Sequence, residues 1–299
     1  MRWRGGRRSG NIIDVRGSGA GPGRMGGGGF RMPGGLGGGG LPGMGGGRGG
    51  IGRIVLIVVV LLAISYLFNE FGGETQTPQT GDRPLTQGQD EAADFVSVVL
   101  ADTEDVWNAL FAADGSDYPE PQLVLFAGEV NSGCGYADAQ VGPFYCPADR
   151  RVYLDLSFFD ALAQRHNAAG DFAQAYVVAH EIGHHVQNVK GILPDANRRQ
   201  QALPEAEANE ISVQVELQAD CFAGVWAYHA EAQRQILEPG DIEEALGAAS
   251  AVGDDTLQRR SQGYVVPESF THGTAAQRMQ WFKTGFDTGD PGACNTFGN

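Results

Sequence analysis

Three histidines and a glutamate lie within six consecutive positions of VVAHEIGHHVQN, the segment from Val177 to Asn188. His180 and His184 are four residues apart, which places both imidazoles on one face of a helix, about 40° and one turn from each other. Two imidazoles at that spacing can reach one zinc ion at the distance of about 2 Å that zinc requires. Glu181 lies about 100° further round the helix, where it can contact a zinc-held water without binding the ion. This H-E-x-x-H pattern predicts a zinc site with Glu181 as the general base.

A second pair of acidic residues is spaced to complete that site. A catalytic zinc needs a third protein ligand and one position left for water. In VELQADCFAG, Glu216 and Asp220 are again four residues apart on one face of a predicted helix. We expect Glu216 to be the third ligand, and Asp220 to accept a hydrogen bond from the outer nitrogen of a zinc histidine. The alternative is a pair of solvated acids, but Val213, Ala219 and Ala223 share that face, and unpaired acids there would be costly.

Other residues near these motifs have weaker signals. His272, in FTHGTAAQR, is a candidate hydrogen-bond donor to the developing oxyanion, with Tyr264 and Arg278 behind it. The alternative for His272 is a histidine that merely lies at a helix N-terminus. His185 points off the metal face, which favours a structural role. Gly183 costs about 1 kcal/mol relative to alanine in a helix interior, which predicts that another chain segment approaches closely there.

These motifs resemble those of known zinc peptidases. HEIGH followed by a helical E-L-Q-A-D is similar to the gluzincin metallopeptidases, in which E-x-x-x-D supplies the third ligand and an acid behind a histidine. The wider chain resembles the bacterial family of predicted neutral zinc metallopeptidases. The shared features are an N-terminal MRW with a basic tail, one membrane span, GPFYCPAD, YLDLSFF, AHEIGHHVQ, ELQADCFAGVWA and FTHGTAAQR. The resemblance covers nearly the whole chain except the glycine-rich tail, and it implies a zinc peptidase without naming a substrate.

The charge of the chain is divided between two unlike regions. Residues 1–53 hold nine arginines and one acidic residue, a formal charge of +8, whereas the remainder holds 12 basic and 35 acidic residues. Residues 1–50 are rich in glycine runs and bury too little apolar surface to offset chain entropy, so we predict a disordered tail. Its arginines could contact nucleic acid or anionic lipid, but no nucleic-acid-binding module is recognisable, and we expect no nucleic-acid partner.

An apolar run follows the tail. Residues 54–68 carry no charge, and with their flanks they approach the ~20 residues that a bilayer requires, which predicts a transmembrane helix over 51–71. A buried core helix and a cleaved signal peptide are the alternatives. Arginines lie on the N-terminal side of the run and glutamates on the other, so the positive-inside rule predicts a cytoplasmic N-terminus. The acidic body would then lie outside the cytoplasm, in the periplasm or at the cell surface, anchored to membrane lipid.

The cysteines agree with an exported domain. All four lie in the predicted external part, where disulfides can form. Cys134 and Cys146 would close a short loop, which leaves Cys221 with Cys294. Four cysteines allow three pairings, and this one is a preference among them.

After a polar linker over 72–89, we predict one α+β domain over 90–299, mostly helical with a small sheet and, by resemblance, zincin-like. Helical spacing marks 90–114, 158–166, 171–191, 204–235, 240–255 and 274–286. Strands are predicted within 122–130 and near 152–156. The segment QLVLFAGEV is either an edge strand that pairs with an extended substrate or a plain core strand.

Three functions are compatible with these features. The first is a membrane-anchored zinc metallopeptidase that holds one Zn²⁺ per chain and cleaves peptide or protein substrates. The second is a zinc-binding ectodomain without catalysis, for which Glu181 has no evident use. The third is a surface interaction protein in which the motif is incidental, and it predicts no stoichiometric metal. The sequence does not indicate the substrate or the oligomeric state.

Overall fold

The computed structural model describes residues 1–17, 87–166 and 169–298 of the chain. Helices dominate and a small sheet accompanies them, which confirms the α+β prediction. The predicted transmembrane helix over 51–71 lies outside the described residues, as does the predicted linker except for its last three positions. Within the three described ranges, no helix is both long enough and apolar enough to cross a membrane.

The sheet has four strands, and a separate hairpin has two. The strands are β1 (Ile12–Asp14), β2 (Gln122–Phe126), β3 (Glu129–Ser132), β4 (Gly135–Asp138), β5 (Phe144–Cys146) and β6 (Arg151–Asp155). The sheet order is β1-β2-β6-β5, and β3 and β4 form the hairpin. β1, β2 and β6 are parallel, whereas β5 is antiparallel to β6.

The described residues form eight α-helices. They are α1 (Gln87–Ala113), α2 (Ser157–His166), α3 (Asp171–Val189), α4 (Ile192–Gln200), α5 (Glu205–Arg234), α6 (Asp241–Ala251), α7 (Asp254–Gln262) and α8 (Ala275–Thr288). The helices predicted from apolar periodicity correspond to α1, α2, α3, α5, α6 and α8. Helices α4 and α7 are short and polar, and for that reason they lack a periodic apolar signal.

Helices α3 and α5 lie at the centre of the domain. Both α3 and the middle of α5 are buried on several sides, and α3 packs against α1, α5 and α6. Two glycines allow α8 to lie directly on α5. A β-carbon at Gly285 would lie 1.9 Å from the carbonyl oxygen of Cys221, and one at Gly224 would lie 2.0 Å from that of Phe282. The helices therefore meet backbone to backbone, and α8 is fixed against the helix that carries Glu216.

The first 17 residues, which we call the N-terminal arm, pack on the domain. β1 pairs with β2, and Trp3 lies in the hydrophobic core, edge-to-face with Phe95 at 5.4 Å between ring centroids. The prediction of a disordered tail over 1–50 is wrong for this stretch, and residues 18–50 lie outside the described part. The prediction fails because it rests on the glycine-rich composition of the whole tail. The few apolar residues of the arm become buried when its backbone pairs with the edge of β2.

The arm also corrects the edge-strand hypothesis for QLVLFAGEV. β2 pairs with β1 on one side and with β6 on the other, so it is a central strand. Leu123 and Leu125 are fully buried. The place expected for an extended substrate on β2 is taken by the N-terminal arm of the chain, and the plain core strand is the correct alternative.

Both predicted disulfides are present. Cys134, in the turn that joins β3 to β4, is bonded to Cys146 at the end of β5, and Cys221 on α5 is bonded to Cys294 in the C-terminal turn (Pro291–Cys294). The second bond ties residues far apart in sequence, and it holds the C-terminal segment beside α5.

Candidate metal centre

Helix α3 presents the two histidines of the H-E-x-x-H motif side by side. Asp171 lies in its first turn, where a carboxylate stabilises the positive end of the helix dipole. The rings of His180 and His184 meet edge-to-face with 4.8 Å between centroids. One turn of helix therefore points both imidazoles at the same small volume, as their spacing predicts.

Helix α5 brings Glu216 to that volume. The Nε2 atom of His180 is 3.2 Å from Glu216 Oε2, and the Nε2 atom of His184 is 3.5 Å from Glu216 Oε1. One ligand atom from each residue lies within 4.8 Å of the others. Gly183 makes this approach possible, because a β-carbon there would be 2.9 Å from the carbonyl oxygen of Ala219 on α5. The close approach predicted for Gly183 is thus made by the helix that carries the third candidate ligand.

Asp220 lies behind His180 as the centre of a buried network. Its Oδ1 accepts from His180 Nδ1 at 2.8 Å and from the Tyr176 hydroxyl at 2.5 Å, and Arg278 donates to both of its oxygens at 2.8 and 2.9 Å. Burial would raise the pKa of Asp220, but Arg278 and His180 outweigh it and lower that pKa to about 2. A permanently charged Asp220 fixes the hydrogen of His180 on Nδ1 and leaves Nε2 directed at Glu216.

The donor set fits a zinc ion. Two imidazole nitrogens and a carboxylate oxygen are zinc ligands, and three protein ligands leave one coordination position open. In the protein without metal, burial opposes protonation of His180, but Asp220 and Glu216 outweigh it and raise its pKa to about 10. The pKa of Glu216 lies well below its usual range, because the neighbouring histidines outweigh the effect of burial. A cation is therefore favoured between these three side chains, and a divalent ion can replace the proton.

Glu181 lies beside the three candidate ligands and is not one of them. Its side chain is buried, and burial raises its pKa although the two histidines act against this. No hydrogen bond to its carboxylate is found in the described part of the chain. A buried carboxylate with a raised pKa can take a proton from a nearby water.

Asp254 holds His272, whose ring is close enough to Glu216 to interact with it electrostatically. Asp254 Oδ2 accepts from the backbone N–H of His272 at 2.6 Å and from those of the residues before and after it, and Asp254 Oδ1 lies 3.2 Å from His272 Nδ1. Burial opposes protonation of His272, but Glu216 and Asp254 outweigh it and raise its pKa. Glu216 and His272 therefore interact electrostatically, and each shifts the pKa of the other.

Two residues predicted to lie behind His272 occupy other places. Arg278 hydrogen-bonds to Asp220, Tyr176 and the carbonyl oxygen of Val252, so it supports His180. Tyr264 is 61% exposed, and no hydrogen bond in the described ranges joins it to His272. The residue that holds His272 is Asp254, which stands in the first turn of a short polar helix and gave no signal of its own in the sequence.

His185 has the structural role that its position on the helix predicts. It is fully buried, its Nε2 lies 2.6 Å from the carbonyl oxygen of Pro119, and its ring packs edge-to-face on Tyr118 and Tyr145. Burial lowers its pKa to about 4. His185 therefore stays neutral and points into the core.

Comparison with known proteins assigns the family. Residues 1–297 match the family described as "Putative neutral zinc metallopeptidase". The chain belongs to this family. The match includes both the N-terminal arm and the C-terminal turn, and so covers the domain together with the segment that precedes it. The family description implies zinc, in agreement with the donor set above.

Relatives of the chain occur in Escherichia coli and in Mycobacterium tuberculosis. The chain is 51% identical over 301 residues to "Uncharacterized protein YpfJ" of Escherichia coli (strain K12), covering 100% of this chain and 99% of that protein. It is 48% identical over 202 residues to "Uncharacterized protein Rv2575" of Mycobacterium tuberculosis (strain ATCC 25618 / H37Rv), covering 64% of this chain and 66% of that protein. No solved structure matches the chain significantly.

Proposed function

We propose that this protein is a zinc-dependent metallopeptidase of the zincin type that hydrolyses peptide bonds in peptides or proteins. The observation that carries the proposal is the convergence of His180, His184 and Glu216 within 4.8 Å, with Glu181 beside them. A site that only holds a structural ion is closed by four protein ligands. Here three candidate ligands meet, and the buried carboxylate of Glu181 is close enough to interact electrostatically with all three.

His180, His184 and Glu216 would hold one zinc ion per chain. When bound, zinc supplies Lewis-acid chemistry, which acidifies a water and polarises a carbonyl group. The protein fixes the geometry beforehand, because Asp220 accepts a hydrogen bond from His180 at 2.8 Å, and Arg278 holds Asp220 by donating to its two oxygens at 2.8 and 2.9 Å. Little reorganisation is then needed when substrate arrives.

Glu181 is the proposed general base. Its carboxylate would accept a proton from the attacking water and then deliver it to the nitrogen of the leaving amine. His272 would donate a hydrogen bond to the oxygen of the scissile carbonyl as negative charge develops there. Asp254 supports that role, because its carboxylate keeps the loop around His272 in place and favours the protonated ring.

The first experiment measures metal in the full-length protein by elemental analysis, beside a Glu216→Ala variant. We expect about one zinc per chain in the wild type and a clear loss in the variant. A folded wild-type protein that takes up no zinc when zinc is offered would overturn the proposal and favour a surface interaction protein.

The second experiment separates a peptidase from a zinc-binding module without catalysis. Glu181→Gln keeps the size of the side chain but removes the base, so zinc content should stay at the wild-type level while cleavage is lost. Cleavage is read by mass spectrometry on a library of random peptides. If the zinc-loaded wild type cuts no member of the library, the non-catalytic alternative gains support.

Anchoring in lipid through residues 51–71 is a separate proposal, and its support is the apolar run in the sequence. Carbonate extraction of membranes from cells that express the full chain tests it. Protein that stays in the membrane pellet would support the anchor, and protein released into the supernatant would contradict it.

A further inference from the structure

The second histidine of the motif has a hydrogen-bond partner that the sequence analysis did not predict. His184 Nδ1 lies 2.9 Å from Oε1 of Gln187, one turn along α3. The orientation of this amide is fixed independently, because Gln187 Nε2 donates to the carbonyl oxygen of Val215 at 2.7 Å, and that oxygen can only accept. Gln187 Oε1 therefore faces His184 as an acceptor, the hydrogen of the imidazole lies on Nδ1, and Nε2 is left free.

Gln187 is itself held by a second buried amide. Its Nε2 also donates to Gln218 Oε1 at 3.1 Å, and Gln218 Nε2 donates to the carbonyl oxygen of Cys294 at 2.8 Å. Gln187 is 0% exposed and Gln218 is 5% exposed. Buried amides without partners are costly, so each amide in this series of hydrogen bonds depends on the next one. The series of hydrogen bonds ends at the C-terminal segment, which the Cys221–Cys294 disulfide joins to α5.

We propose that Gln187 is the positioning residue for His184, and that Gln218 and the Cys294 carbonyl hold Gln187 in place. Gln218 lies between Glu216 and Asp220 on α5, so the amide chain joins the two helices that carry the candidate ligands. The two histidines are supported differently. His180 has a charged acceptor, Asp220, whereas His184 has a neutral one, which fixes the ring without adding a second buried charge.

This inference rests on the proposed zinc site, and the experiment separates the two. Zinc affinity is measured in the full-length protein by competition with a chromophoric chelator, for the wild type, Gln187→Met and Gln218→Met. We expect affinity to fall by about 10- to 100-fold in Gln187→Met and by less in Gln218→Met. Gln200→Met is the matched control, because Gln200 also bridges two helical segments but touches no candidate ligand, and it should bind zinc like the wild type.

A second readout needs no metal. Nitrogen chemical shifts of His184 in the zinc-free protein should show the Nδ1–H tautomer in the wild type and a mixture in Gln187→Met. If the wild type binds no zinc, the proposed function fails. If it binds zinc and both variants keep its affinity and its tautomer, only the positioning role is overturned. Should Gln187→Met not fold, Gln218→Met carries both measurements.

The N-terminal arm supports a second, independent inference about membrane topology. Glu104 on α1 is 1% exposed, and its oxygens accept from three arm residues, Arg7, Ser9 and Asn11. The arm supplies all the hydrogen bonds that the Glu104 carboxylate makes within the described ranges, and without it β2 would lose a neighbouring strand. The arm is therefore an integral part of the folded body.

A single membrane crossing between the arm and the body would place them on opposite sides. The predicted span over 51–71 lies between them, so a cytoplasmic N-terminus with an external catalytic domain is incompatible with the packing of the arm. We infer that the arm and the body lie on the same side of any membrane to which the chain is bound.

A designed disulfide tests this directly. An ideal β-carbon at Gly6 lies 3.8 Å from the β-carbon of Val98, close to the mean separation of about 3.8 Å in disulfides. The four native cysteines are already paired, so Gly6→Cys with Val98→Cys adds the only free thiols. After mild oxidation of membranes that contain the full chain, thiols are counted by the gel shift with a maleimide polymer. We expect loss of both thiols, and Gly6→Cys alone as the control should keep its thiol.

Labelling from one side gives a second test that does not depend on the crosslink. Gly10 in the arm and Glu243 on α6 are both exposed, and each is replaced by cysteine in turn. A membrane-impermeant maleimide applied to intact cells should label both variants or neither. Labelling of Glu243→Cys alone, together with two free thiols in the crosslinking variant, would overturn the inference and restore the single-crossing arrangement.

Discussion

At the scale of single residues, the site is built from pairs in which one side chain acts and another holds it. His180 is held by Asp220, His184 by Gln187 and His272 by Asp254. Each outer partner fixes the position of a ring hydrogen, and through it the atom that faces the centre. The chemistry of the centre therefore depends on residues that do not themselves touch zinc or substrate.

His272→Ala tests the proposed oxyanion donor. We expect zinc content and the free energy of unfolding to remain near the wild-type values, while kcat falls by about 10²- to 10³-fold, as for removal of one oxyanion donor. The measurement is steady-state cleavage of a peptide found in the library screen, with metal content determined on the same sample. Undiminished kcat in a folded, zinc-loaded variant would remove His272 from the mechanism.

Asp102, far from the site, should make stability depend on pH. Burial raises its pKa to about 6, although Arg234 and Trp226 act against this. An unfolded aspartate titrates near 3.9, so between about pH 4 and 6 the folded protein binds more protons than the unfolded chain. Stability from this group is present below pH 4 and is lost as the pH rises through 6.

The matching variant is Asp102→Asn, which does not titrate. Its free energy of unfolding relative to the wild type should rise by about 2 kcal/mol between pH 4 and 7, a difference that urea titrations can measure. A difference that stays constant over this pH range would show that Asp102 is ionised throughout.

At the scale of elements, close helix packing decides whether the ligands meet. α3 carries two candidate ligands and α5 the third, and the two helices touch at Gly183 and Ala219. α8 adds Arg278 by lying against α5 at Gly285 and Gly224. Small residues at these crossings set the distance between the helices, and that distance sets the separation of His180 from Glu216.

Gly183→Ala should separate α3 from α5. The added methyl group would meet the backbone of Ala219 at about 3 Å, which side-chain motion cannot relieve, so we expect a loss of about 1–3 kcal/mol in stability together with weaker zinc binding. Gly247→Ala on α6 is the matched control, because its β-carbon would have no atom within 4 Å. It should stabilise the protein by about 0.5–1 kcal/mol. Equal effects of both variants on zinc affinity would contradict this role for Gly183.

At the scale of the whole molecule, the N-terminal arm and the C-terminal turn both pack on the body of the domain and complete its hydrogen bonds. The arm supplies β1 and the partners of Glu104, and the C-terminal turn supplies the Cys294 carbonyl at the end of the amide chain. Both ends lie far in sequence from the zinc motif, and each is tied to the helices around it.

Removal of residues 1–17 should therefore be severe. The truncated chain would lose the hydrogen-bond donors of Glu104, leave the core without Trp3 and uncover the edge of β2, so we expect a large fall in melting temperature or aggregation. The measurement is thermal unfolding of the truncated and full-length chains side by side. A truncated protein with the wild-type melting temperature would show that the arm is dispensable.

The sequence alone determined those features that depend on short spacing. His180, His184 and Glu181 follow from one helical turn, Glu216 and Asp220 from another, and the amphipathic helices from their apolar period. The structure brings these residues together as their spacing predicts. The short polar helices α4 and α7 escaped prediction because nothing periodic marks them.

Only the tertiary structure decided which residues, distant in sequence, support the candidate zinc ligands. Gln187 has a visible place one turn after His184, but its partner Gln218 and the Cys294 carbonyl are set by how α3, α5 and the C-terminal turn pack. For the same reason Arg278, which the sequence predicts behind His272, donates instead to Asp220 behind His180. The sequence does not predict the folded arm, because three strand residues and one tryptophan within a glycine-rich tail form no periodic apolar pattern. They are ordered only by pairing with β2 and by packing on the core. Contacts between residues far apart in sequence depend on packing, and local spacing does not encode packing.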